Sequence, residues 1–577
     1  MSHFHHALPF GAELQPDGIT RFRLWAPSAE TVRLKLPTRV VPMDATADGW
    51  HEAAVPAPEG TAYQFILPDG LSVPDPASRR QFEDVHGASE VVDPGRFSWA
   101  HPEWAGRPWN EAVIYECHAG LMNGFRGIQD RLPTLQRLGF TVIELMPIAE
   151  VPGDRNWGYD GVLPYAPSRA LGSPDDLKAM IDAAHGLGLM VMLDVVYNHF
   201  GPDGAYIHAY AKPFFREDIK TPWGAAIDFR RSEVRDYFQQ NALFWLNEYR
   251  FDGLRFDAVH AISEEAFLVD MAGAIRAGTP GRHVHLVLEH ENNRAALLRT
   301  DDEPLFDAQW ADDMHHALHV LLTGESEGYY EDFQNATEHL ARILRDGFAY
   351  QGDVSPHLGR PRGEPSGHLP PTAFVICLQN HDQIGNRAMG ERLAALATPE
   401  ALRAATVLLL LSPFIPLMFM GEEHASTTPF LFFTSHNDEL AELIRQGRRS
   451  EFKAFAAFQD ESKRAQIPDP NARATYEASR PEATDPDHAA WITTLLQLRV
   501  AHVTPGIPGC KSAGVTVLGH GAVQATWTLG TGQLLTILLN LGTEPIDAQP
   551  AAREMLYATP GATPAHLPAS SAVVMLG

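Results

Sequence analysis

The spacing of hydrophobic residues changes twice along this chain and divides it into three stretches. Residues 31–36 alternate apolar and charged side chains, as in a strand with one buried face. From about residue 106 the apolar runs become continuous, which is typical of parallel strands covered on both faces. From about residue 507 the alternation returns, most clearly over residues 523–529. The pattern therefore predicts a β-domain, an α/β domain and a second β-domain in that order.

The central stretch alternates strand-like and helix-like segments. Ser173 is placed to cap a helix whose first residue is Pro174, and Ser232 begins another helix with one apolar face. A long charged segment after the last strand predicts a helical excursion over residues 424–486, and a helix over residues 490–501 closes the domain. Strands that alternate with helices in this way predict a TIM (β/α)₈ barrel with insertions. The eight strand-like runs lie at residues 113–118, 141–148, 190–199, 253–260, 284–290, 304–310, 373–382 and 415–423.

These assignments set the expected domain boundaries. Residues 1–105 predict an N-terminal β-sandwich, residues 106–503 the catalytic barrel with its helical insertion after the eighth strand, and residues 504–577 a small C-terminal β-domain. The predicted fold class is therefore α/β, with a TIM barrel between two β-domains.

The composition narrows the classes of partner. The 577 residues carry a formal net charge of −27, which argues against nucleic acids and anionic membranes and fits a neutral or cationic ligand. Three cysteines cannot form a disulfide framework, so we expect reduced thiols and a cytoplasmic location. The N-terminus has no basic patch followed by an apolar segment, so no signal peptide is predicted.

Three carboxylates each end one of the strand-like runs, and they are the main candidates for catalysis. They are Asp257, Glu289 and Asp382. One such acid alone is more often a cap or an ion-pair partner, but three at the ends of different barrel strands meet at one mouth. Three carboxylates suffice to cleave a glycosidic bond, with a nucleophile, an acid/base and a third group that holds sugar hydroxyls. The arrangement therefore predicts a glycosidase.

Further polar and aromatic residues follow the same strands. Arg255 lies two residues before Asp257, so strand periodicity directs both side chains to one face, where the guanidinium can orient the carboxylate. Aromatic faces in the loop after the second strand could stack on a pyranose. Each residue alone also has a purely structural reading, as a cap, a buried histidine or a core aromatic. The candidates for substrate contact here are Trp157, Tyr159, Asp194, His199, Asn380, His381 and Gln383.

Four motifs carry a resemblance to a known family. They are Asp-Val-Val-Tyr-Asn-His at residues 194–199, Gly-Leu-Arg-Phe-Asp-Ala-Val-His at 253–260, Leu-Val-Leu-Glu at 286–289 and Asn-His-Asp at 380–382. In this order they resemble the four shared regions of the α-amylase superfamily, glycoside hydrolase family 13. The Trp-Ala-Pro sequence of the N-terminal stretch is similar to the sandwich that precedes the barrel in branching and debranching relatives.

The resemblance implies a retaining mechanism with defined roles. Asp257 would be the nucleophile, Glu289 the general acid/base, and Asp382 the group that holds the hydroxyls of the distorted sugar. No cofactor is implied. The supporting residues around them would be Arg255, His199, His260 and His381.

A polar run after the sixth strand narrows the resemblance to one subfamily. Residues 310–319 and 323–330 resemble hydrolases that cut the α-1,4 bond next to a terminal trehalose unit, and branching enzymes lack the run. Two of its histidines, His315 and His319, are one helical turn apart and could bind zinc. No glutamate of the His-Glu-x-x-His pattern stands between them, so sugar recognition is favoured over zinc, with a packed polar network as the third reading. The candidate sugar contacts are Asp312, Asp313, His315 and His316.

Two departures from the superfamily pattern concern the acid/base residue and the calcium site. Glu291 follows Glu289 closely and competes for the acid/base role; Glu289 is preferred because it directly ends the apolar run. The insertion between the third and fourth strands is short, which puts the calcium site of true α-amylases in doubt although Asn198 is present. No metal is therefore predicted.

The predicted function is hydrolysis of maltooligosyltrehalose to trehalose and a maltooligosaccharide, with α-1,4-glucans as the related substrates. The enzyme alternatives are a 1,4-α-glucan branching enzyme or another α-glucan hydrolase of the superfamily. The alternative from a different class is a non-catalytic glucan-binding protein. The synthase that would supply the substrate is a pathway neighbour, and physical contact with it is not predicted either way.

Overall fold

The computed structural model describes residues 3–298, 305–551 and 553–577. Residue 304, the first of the predicted sixth run, lies outside the described residues. Eight parallel strands close into a barrel, as predicted. Most are shorter than the predicted runs because the polar residues after each apolar segment already belong to loops. The barrel strands are β1 (Ile114–Cys117), β2 (Val142–Leu145), β3 (Met190–Val195), β4 (Gly253–Phe256), β5 (His285–Leu288), β6 (Ala308–Trp310), β7 (Phe374–Cys377) and β8 (Ile415–Phe419).

The register of the barrel strands places an apolar layer below a polar one. Pairing of Ile114 with Leu417 joins β1 to β8 and closes the barrel. Side chains alternate along each strand, so every second residue enters the lumen. Below, the lumen is filled by an apolar cluster that includes Ile114, Val142, Met192, Val287 and Val375. Two residues further along β1, β2, β3 and β5, the lumen-facing positions become acidic, and there the active-site candidates begin; β7 has the apolar Cys377 at that position.

Helices pack around the barrel and confirm the predicted start signals. Ser173 accepts a hydrogen bond from the Asp176 N–H, and Asp176 caps in return, which fixes the start of the helix at Pro174. The segment after β8 is helical. The final α-helix, Pro486–Leu498, begins earlier than predicted and continues as a π-helix over Arg499–Val503, so residues 490–501 are helical as predicted. The longer helices are Gly124–Leu138, Pro174–Gly186, Ser232–Asn247, Glu265–Gly278, Asp312–Thr323, Ala336–Asp346, Pro399–Leu411, Asp438–Glu451 and Pro486–Leu498.

Two-stranded sheets extend three of the loops at the mouth of the barrel. Ala149–Glu150 pairs with Leu163–Pro167 after β2, and Phe215–Thr221 pairs with Gly224–Ile227 after β3. After β6, Asp353–Ser355 pairs with Arg360–Arg362. Short helices at Ile207–Tyr210, His381–Gly385, Leu393–Leu396, Glu461–Arg464 and Arg473–Ala478 complete the α-helical elements of the described chain.

The N-terminal stretch forms two small antiparallel sheets, as predicted. In Ile19–Trp25 buried and partly exposed residues alternate, which is the pattern expected of a strand in a sandwich. Phe22 and Phe65, from opposite sheets, are both fully buried in the core. One sheet contains Gly11–Leu14, Ile19–Trp25, Trp50–Pro56 and Asp44–Ala45; the other contains Arg39–Pro42, Arg33–Leu36, Ala62–Ile66, Ser72–Val73 and Ser89–Glu90.

The C-terminal stretch is a five-stranded antiparallel sheet with a small two-stranded addition. Val523, Ala525 and Trp527 are buried, which confirms the predicted alternation in Ala522–Thr528. The strand order is Lys511–Gly519, Ala522–Thr528, Leu534–Asn540, Ser571–Leu576 and Glu554–Ala558, and Ile546–Asp547 pairs with His566–Leu567. The fold class predicted from the sequence is therefore confirmed, while the exact domain boundaries stay predictions.

Two further observations concern the predicted location. Cys117, Cys377 and Cys510 are free and buried. Over the described ranges of the chain, no helix is long and apolar enough to cross a membrane.

Candidate active site

The candidate carboxylates continue the lumen-facing positions of their strands. Arg255 faces the lumen within β4, and Asp257 is the next lumen-facing position. Glu289 bears the same relation to Val287 of β5. Asp382 lies in the helix His381–Gly385, which follows β7. The strand geometry therefore brings the three predicted carboxylates to one end of the barrel.

Arg255 joins the carboxylates of three neighbouring strands. Its Nη1 lies 2.8 Å from Asp194 Oδ2 and 2.8 Å from Asp257 Oδ1, and its Nη2 lies 2.8 Å from Glu289 Oε2. The guanidinium is fully buried and lies 4.1 Å from the centre of the Trp310 ring. A buried cation held between three acids and an aromatic face fixes their positions. The pairing of Asp257 with Arg255, predicted from their spacing, is present.

The pKa values of the two central carboxyl groups, those of Asp257 and Glu289, shift in opposite directions. Burial first, and then the charge of Glu289, raises the pKa of Asp257 well above its ordinary value. Burial also disfavours the charged form of Glu289. Arg255, and the Ala258 N–H at 2.8 Å from Oε2, more than offset this effect, so the pKa of Glu289 is lowered. The two carboxyls therefore titrate as a coupled pair.

Asp382 has the most open carboxylate of the three. Its side chain is 32% exposed, against 11% for Asp257 and 19% for Glu289. Oδ1 accepts a bond of 3.2 Å from the Asn386 amide. Burial raises the pKa of Asp382, with the opposing charge of His381 as the next cause. The open position is suited to contact with sugar hydroxyls.

The two predicted neighbours of Asp382 differ: Asn380 supports the backbone, and Gln383 is partly exposed. Asn380 is buried, and its side chain accepts a bond of 3.0 Å from the Gln383 N–H, so it caps the helix His381–Gly385. Gln383 is partly exposed beside it. The amide of Asn380 thus holds the backbone that carries Asp382, which is one of its two readings from the sequence.

Tyr159 links the histidine of the site to Asp194. Its hydroxyl donates to Asp194 Oδ2 at 2.6 Å and accepts from His381 Nε2 at 2.8 Å. Burial raises the pKa of Asp194 to about 6. Burial opposes charge on His381, but Asp382 and Glu116 outweigh it and raise its pKa to about 10. His381 is therefore an imidazolium at neutral pH.

The two remaining candidates from the loops after β2 and β3 differ in exposure. Trp157 is buried, stacks on Phe430 at 5.1 Å and donates to the Leu431 carbonyl, so its faces are not open to a sugar. Its predicted stacking role is wrong because the segment after β8 folds over it. His199 bonds the Tyr159 carbonyl at 3.0 Å, and its ring stacks on the exposed Trp223 at 4.5 Å.

The polar run after β6 forms the first turns of the helix Asp312–Thr323, not a loop. Asp313 is fully buried; its oxygens bond Asn293, the backbone N–H groups of residues 349 and 350, and Arg362. Both ring nitrogens of the buried His315 are also occupied, by the Leu378 carbonyl and by Tyr330 Oη at 2.9 Å. Asp313 and His315 are therefore structural, and their prediction as substrate contacts is corrected.

Asp312 and His316 share the other side of this helix, one turn apart. Both are partly exposed. Burial, followed by the charges of Glu289 and Asp382, raises the pKa of Asp312 to about 8. The influence of both carboxylates places Asp312 at the catalytic mouth, where its protonated form can donate as well as accept. His316 packs between the rings of Tyr329, Tyr330 and Phe333.

Glu291 and His260 lie at the outer edge of the site. The Glu291 side chain is 39% exposed, and its nearest cation is Arg360 at 3.9 Å. His260 is exposed, and its Nδ1 lies 3.5 Å from the Glu291 backbone N–H. Glu291 therefore lacks the contact with Arg255 that Glu289 makes.

Removal of metal ions is predicted to leave activity unchanged. Within the described part of the chain, no three His, Cys, Asp or Glu side chains are grouped as metal ligands. The interpretation of His315 and His319 as zinc ligands is not supported. Both ring nitrogens of His315 are hydrogen-bonded, and His319 Nε2 lies 2.7 Å from Glu325. Activity should be measured after dialysis against a strong chelator. A loss that calcium or zinc reverses would contradict the prediction.

Several residues of the site were not singled out from the sequence. Trp310 supports Arg255, and Glu116 bonds the His381 ring. Glu116 and Glu144 are paired in register across β1 and β2 and are both buried. An acid in the middle of an apolar strand is a signal that could have identified both.

The fold and this arrangement together define the class as a glycosidase of the α-amylase type. Three family models match the chain: the alpha amylase catalytic domain at residues 94–221, carbohydrate-binding module 48 (isoamylase N-terminal domain) at residues 9–72, and the domain of unknown function DUF3459 at residues 510–574.

Curated relatives narrow the class to one family. The chain is 40% identical to a malto-oligosyltrehalose trehalohydrolase from Deinococcus radiodurans, over 90% of this chain and 89% of that protein. Proteins of the same name from Saccharolobus solfataricus and Mycobacterium tuberculosis are 40% and 35% identical, over 77% and 93% of this chain and 80% and 95% of theirs. The chain therefore belongs to the malto-oligosyltrehalose trehalohydrolase family.

Solved structures agree with the fold. A crystal structure from Salmonella typhimurium, ascribed to the alpha amylases, is 43% identical with a TM-score of 0.95, over 99% of this chain and 100% of that one. A pullulanase from an Anoxybacillus species, complexed with maltotetraose, has a TM-score of 0.70 at 18% identity, over 100% of this chain and 88% of that one. The second similarity concerns the fold alone.

Proposed function

We propose that this protein hydrolyses the α-1,4-glucosidic bond next to the terminal trehalose of maltooligosyltrehalose and releases trehalose. The observation that carries the proposal is its identity of 40% over nine-tenths of the chain to a relative of that name. The arrangement of Asp257, Glu289 and Asp382 around Arg255 supports the chemistry. Free buried cysteines fit a reducing compartment, and we place the reaction in the cytoplasm.

The first step forms a bond between the protein and the sugar. Asp257 attacks the anomeric carbon while Glu289 donates its proton to the glycosidic oxygen, and the trehalose leaves with that proton. For this step Glu289 must carry a proton and Asp257 must be ionised. Contact of both carboxyls with Arg255 keeps them close, as a retaining mechanism requires.

The second step returns the protein to its first state. Glu289, now ionised, takes a proton from a water molecule, and the water oxygen attacks the anomeric carbon. The bond to Asp257 breaks, and the maltooligosaccharide leaves with the configuration of its anomeric carbon retained. Asp382 would hold the hydroxyls of the sugar during both steps, which fits the exposure of its carboxylate.

Product analysis on two substrates of equal length tests the proposal. The protein is incubated with maltooligosyltrehalose and, separately, with the plain maltooligosaccharide. Release of free trehalose with a clear preference for the first substrate is expected. Equal rates on both, with no trehalose released, would refute the proposal.

Two other functions remain as outcomes of the same experiment. A 1,4-alpha-glucan branching enzyme from Streptomyces coelicolor is 36% identical, but over only 43% of this chain. New α-1,6 bonds in the products would indicate that activity. Absence of turnover on every α-glucan would indicate a glucan-binding protein, against which the complete set of Asp257, Glu289, Asp382 and Arg255 argues.

Alanine at Asp312 or His316 is predicted to narrow the preference for maltooligosyltrehalose. The three carboxylates fix where the bond breaks and cannot distinguish trehalose from maltose as leaving group. Loss of a partner from a buried polar group costs about 1–3 kcal/mol, so a few contacts give selectivity on the order of a hundredfold. The ratio of kcat/KM on the two substrates should therefore fall, mainly through maltooligosyltrehalose.

A matched control and a pH series sharpen this test. Glu331→Ala removes an exposed acid of the same region and should leave the ratio unchanged. Asp312 is protonated below a pKa of about 8, so the wild-type ratio should fall as the pH rises through that value. An equal loss on both substrates in Asp312→Ala would indicate a structural role for this residue. The residues that determine specificity would then have to be sought in the segment after β8.

A further inference from the structure

Glu116, a residue of β1 below the three carboxylates, contacts His381 twice. Its Oε1 forms a short hydrogen bond with His381 Nδ1, and its Oε2 accepts from the His381 backbone N–H at 3.3 Å. Both residues are essentially inaccessible to solvent. A carboxylate buried to this degree is costly unless its charge is compensated, and here His381 supplies the compensation.

The hydrogen bonds around His381 fix its proton count. Glu116 can only accept, so Nδ1 carries a hydrogen. The Tyr159 hydroxyl spends its single hydrogen on Asp194 Oδ2 at 2.6 Å, so it must accept from Nε2 at 2.8 Å. Both ring nitrogens therefore carry hydrogens, and the ring is an imidazolium. The same Nε2 lies 3.4 Å from Asp382 Oδ2.

The aromatic contacts of the His381 ring do not by themselves select one of its two orientations. Tyr159 stacks on the His381 ring at 5.2 Å, and Trp157 meets it edge-on at 5.6 Å. These aromatic neighbours hold the plane of the ring but permit it to turn over within that plane. The hydrogen bond that Nδ1 donates to Glu116 selects the orientation that directs Nε2 toward Tyr159 and Asp382.

We propose that Glu116 is a positioning residue, which orients His381 and keeps its ring charged so that a charged N–H faces the sugar-binding carboxylate Asp382. The proposal rests on the proposed function in that it assigns the residue to the same reaction. It adds a chain of hydrogen bonds that runs from Glu116 on β1 through His381, Tyr159 and Asp194 to Arg255. Arg255 in turn contacts the nucleophile Asp257. With Glu116 ionised, each hydrogen bond of this connection has one direction.

Other charged groups also face His381 and must be weighed. Asp382 and Glu116 raise its pKa, while Arg255 lowers it. Asp194 and His118 also interact with its charge. Glu144 on β2 is the remaining acid, but burial first, and then the charge of Glu116, raise its pKa well above the ordinary value, which favours its uncharged form. Glu116 is therefore the acid that compensates the ring from below.

Glu144 provides a matched control. It is the register partner of Glu116, it is equally buried, and neither of its carboxyl oxygens has a hydrogen-bond partner among the described residues. Glu144→Gln exchanges one uncharged group for another of similar size. Glu116→Gln instead removes a negative charge but keeps an oxygen that can accept from Nδ1. The two variants introduce the same amide at neighbouring buried positions, and only Glu116→Gln alters a group that bonds His381.

The test follows the protonation of His381 directly. Selectively labelled histidine is titrated by NMR in the full chain, with His381→Gln used to assign the signal. In the wild type the ring should stay protonated to about pH 9, and in Glu116→Gln its midpoint should fall by about 1–3 pH units. Glu144→Gln should titrate like the wild type. An unchanged midpoint in Glu116→Gln would overturn the proposal.

A kinetic measurement adds the functional consequence. With maltosyl fluoride, whose leaving group needs no proton donor, kcat of Glu116→Gln should be about tenfold lower at pH 8.5 and less affected at pH 6, because the imidazolium is lost as the pH rises. The same fall at all pH values, or none, would contradict the assigned role. Because fluoride release and NMR need no trehalose, failure of the proposed specificity would leave this test intact.

Discussion

Replacement of Asp257 by Asn is expected to abolish turnover while the fold remains. The amide has nearly the volume of the carboxylate, so it fits the place beside Arg255, but it cannot form the glycosyl ester. The loss of a nucleophile lowers kcat by several orders of magnitude, on the order of a thousandfold or more. Steady-state rates on maltooligosyltrehalose provide the measurement, and the thermal midpoint of unfolding provides the check on the fold.

The bond to Asp257 can also be detected in the wild type. A slow fluorinated glycosyl substrate should trap the intermediate, and mass spectrometry of the digested protein should locate it on the peptide that contains Asp257. Retention of more than about a hundredth of the wild-type rate in Asp257→Asn would require another nucleophile. A trapped sugar on a different carboxylate would identify that group.

Much of the barrel and of its central site could be predicted from the sequence because both depend on local periodicity. Continuous apolar runs indicate buried parallel strands, and an acid at the end of such a run must lie at the mouth. The two-residue spacing of Arg255 and Asp257 was sufficient to predict their contact, and the structure places them 2.8 Å apart.

Residues whose surroundings come from distant segments could not be assigned in this way. Trp157 looks like an open stacking surface in its own loop, but Phe430 and Leu431, more than two hundred residues later in the chain, cover it. The helix after β6 presents the same difficulty. Its residues point in different directions at 100° intervals, and the sequence does not indicate which side faces the cleft.

The charges of the site required three-dimensional information as well. Burial alone suggests that Glu289 is protonated, but its two contacts, with Arg255 and with the Ala258 N–H, lower its pKa in the free site. The two carboxyls share Arg255 and titrate as a coupled pair. An assignment of acid and nucleophile therefore has to come from kinetics, where the two groups behave differently.

Glu289→Gln is expected to remove most activity on maltooligosyltrehalose, whereas Glu291→Gln should retain it. Only Glu289 contacts Arg255, at 2.8 Å, while Glu291 is directed outward beside Arg360. Removal of a proton donor slows the reaction of a poor leaving group by roughly a hundredfold to ten-thousandfold. The rates of both variants on the natural substrate should therefore differ by at least a factor of about a hundred.

The leaving group distinguishes a proton donor from a residue that merely shapes the site. Fluoride departs without a proton, so Glu289→Gln should form the glycosyl intermediate from maltosyl fluoride at a rate close to that of the wild type. Hydrolysis of that intermediate needs a base and should be slow, so the intermediate accumulates and an initial burst of fluoride follows. The alkaline fall in kcat/KM, which reports loss of the donor's proton, should disappear in this variant. A larger loss in Glu291→Gln, or an initial release of fluoride in Glu289→Gln as slow as its reaction with maltooligosyltrehalose, would reverse the assignment.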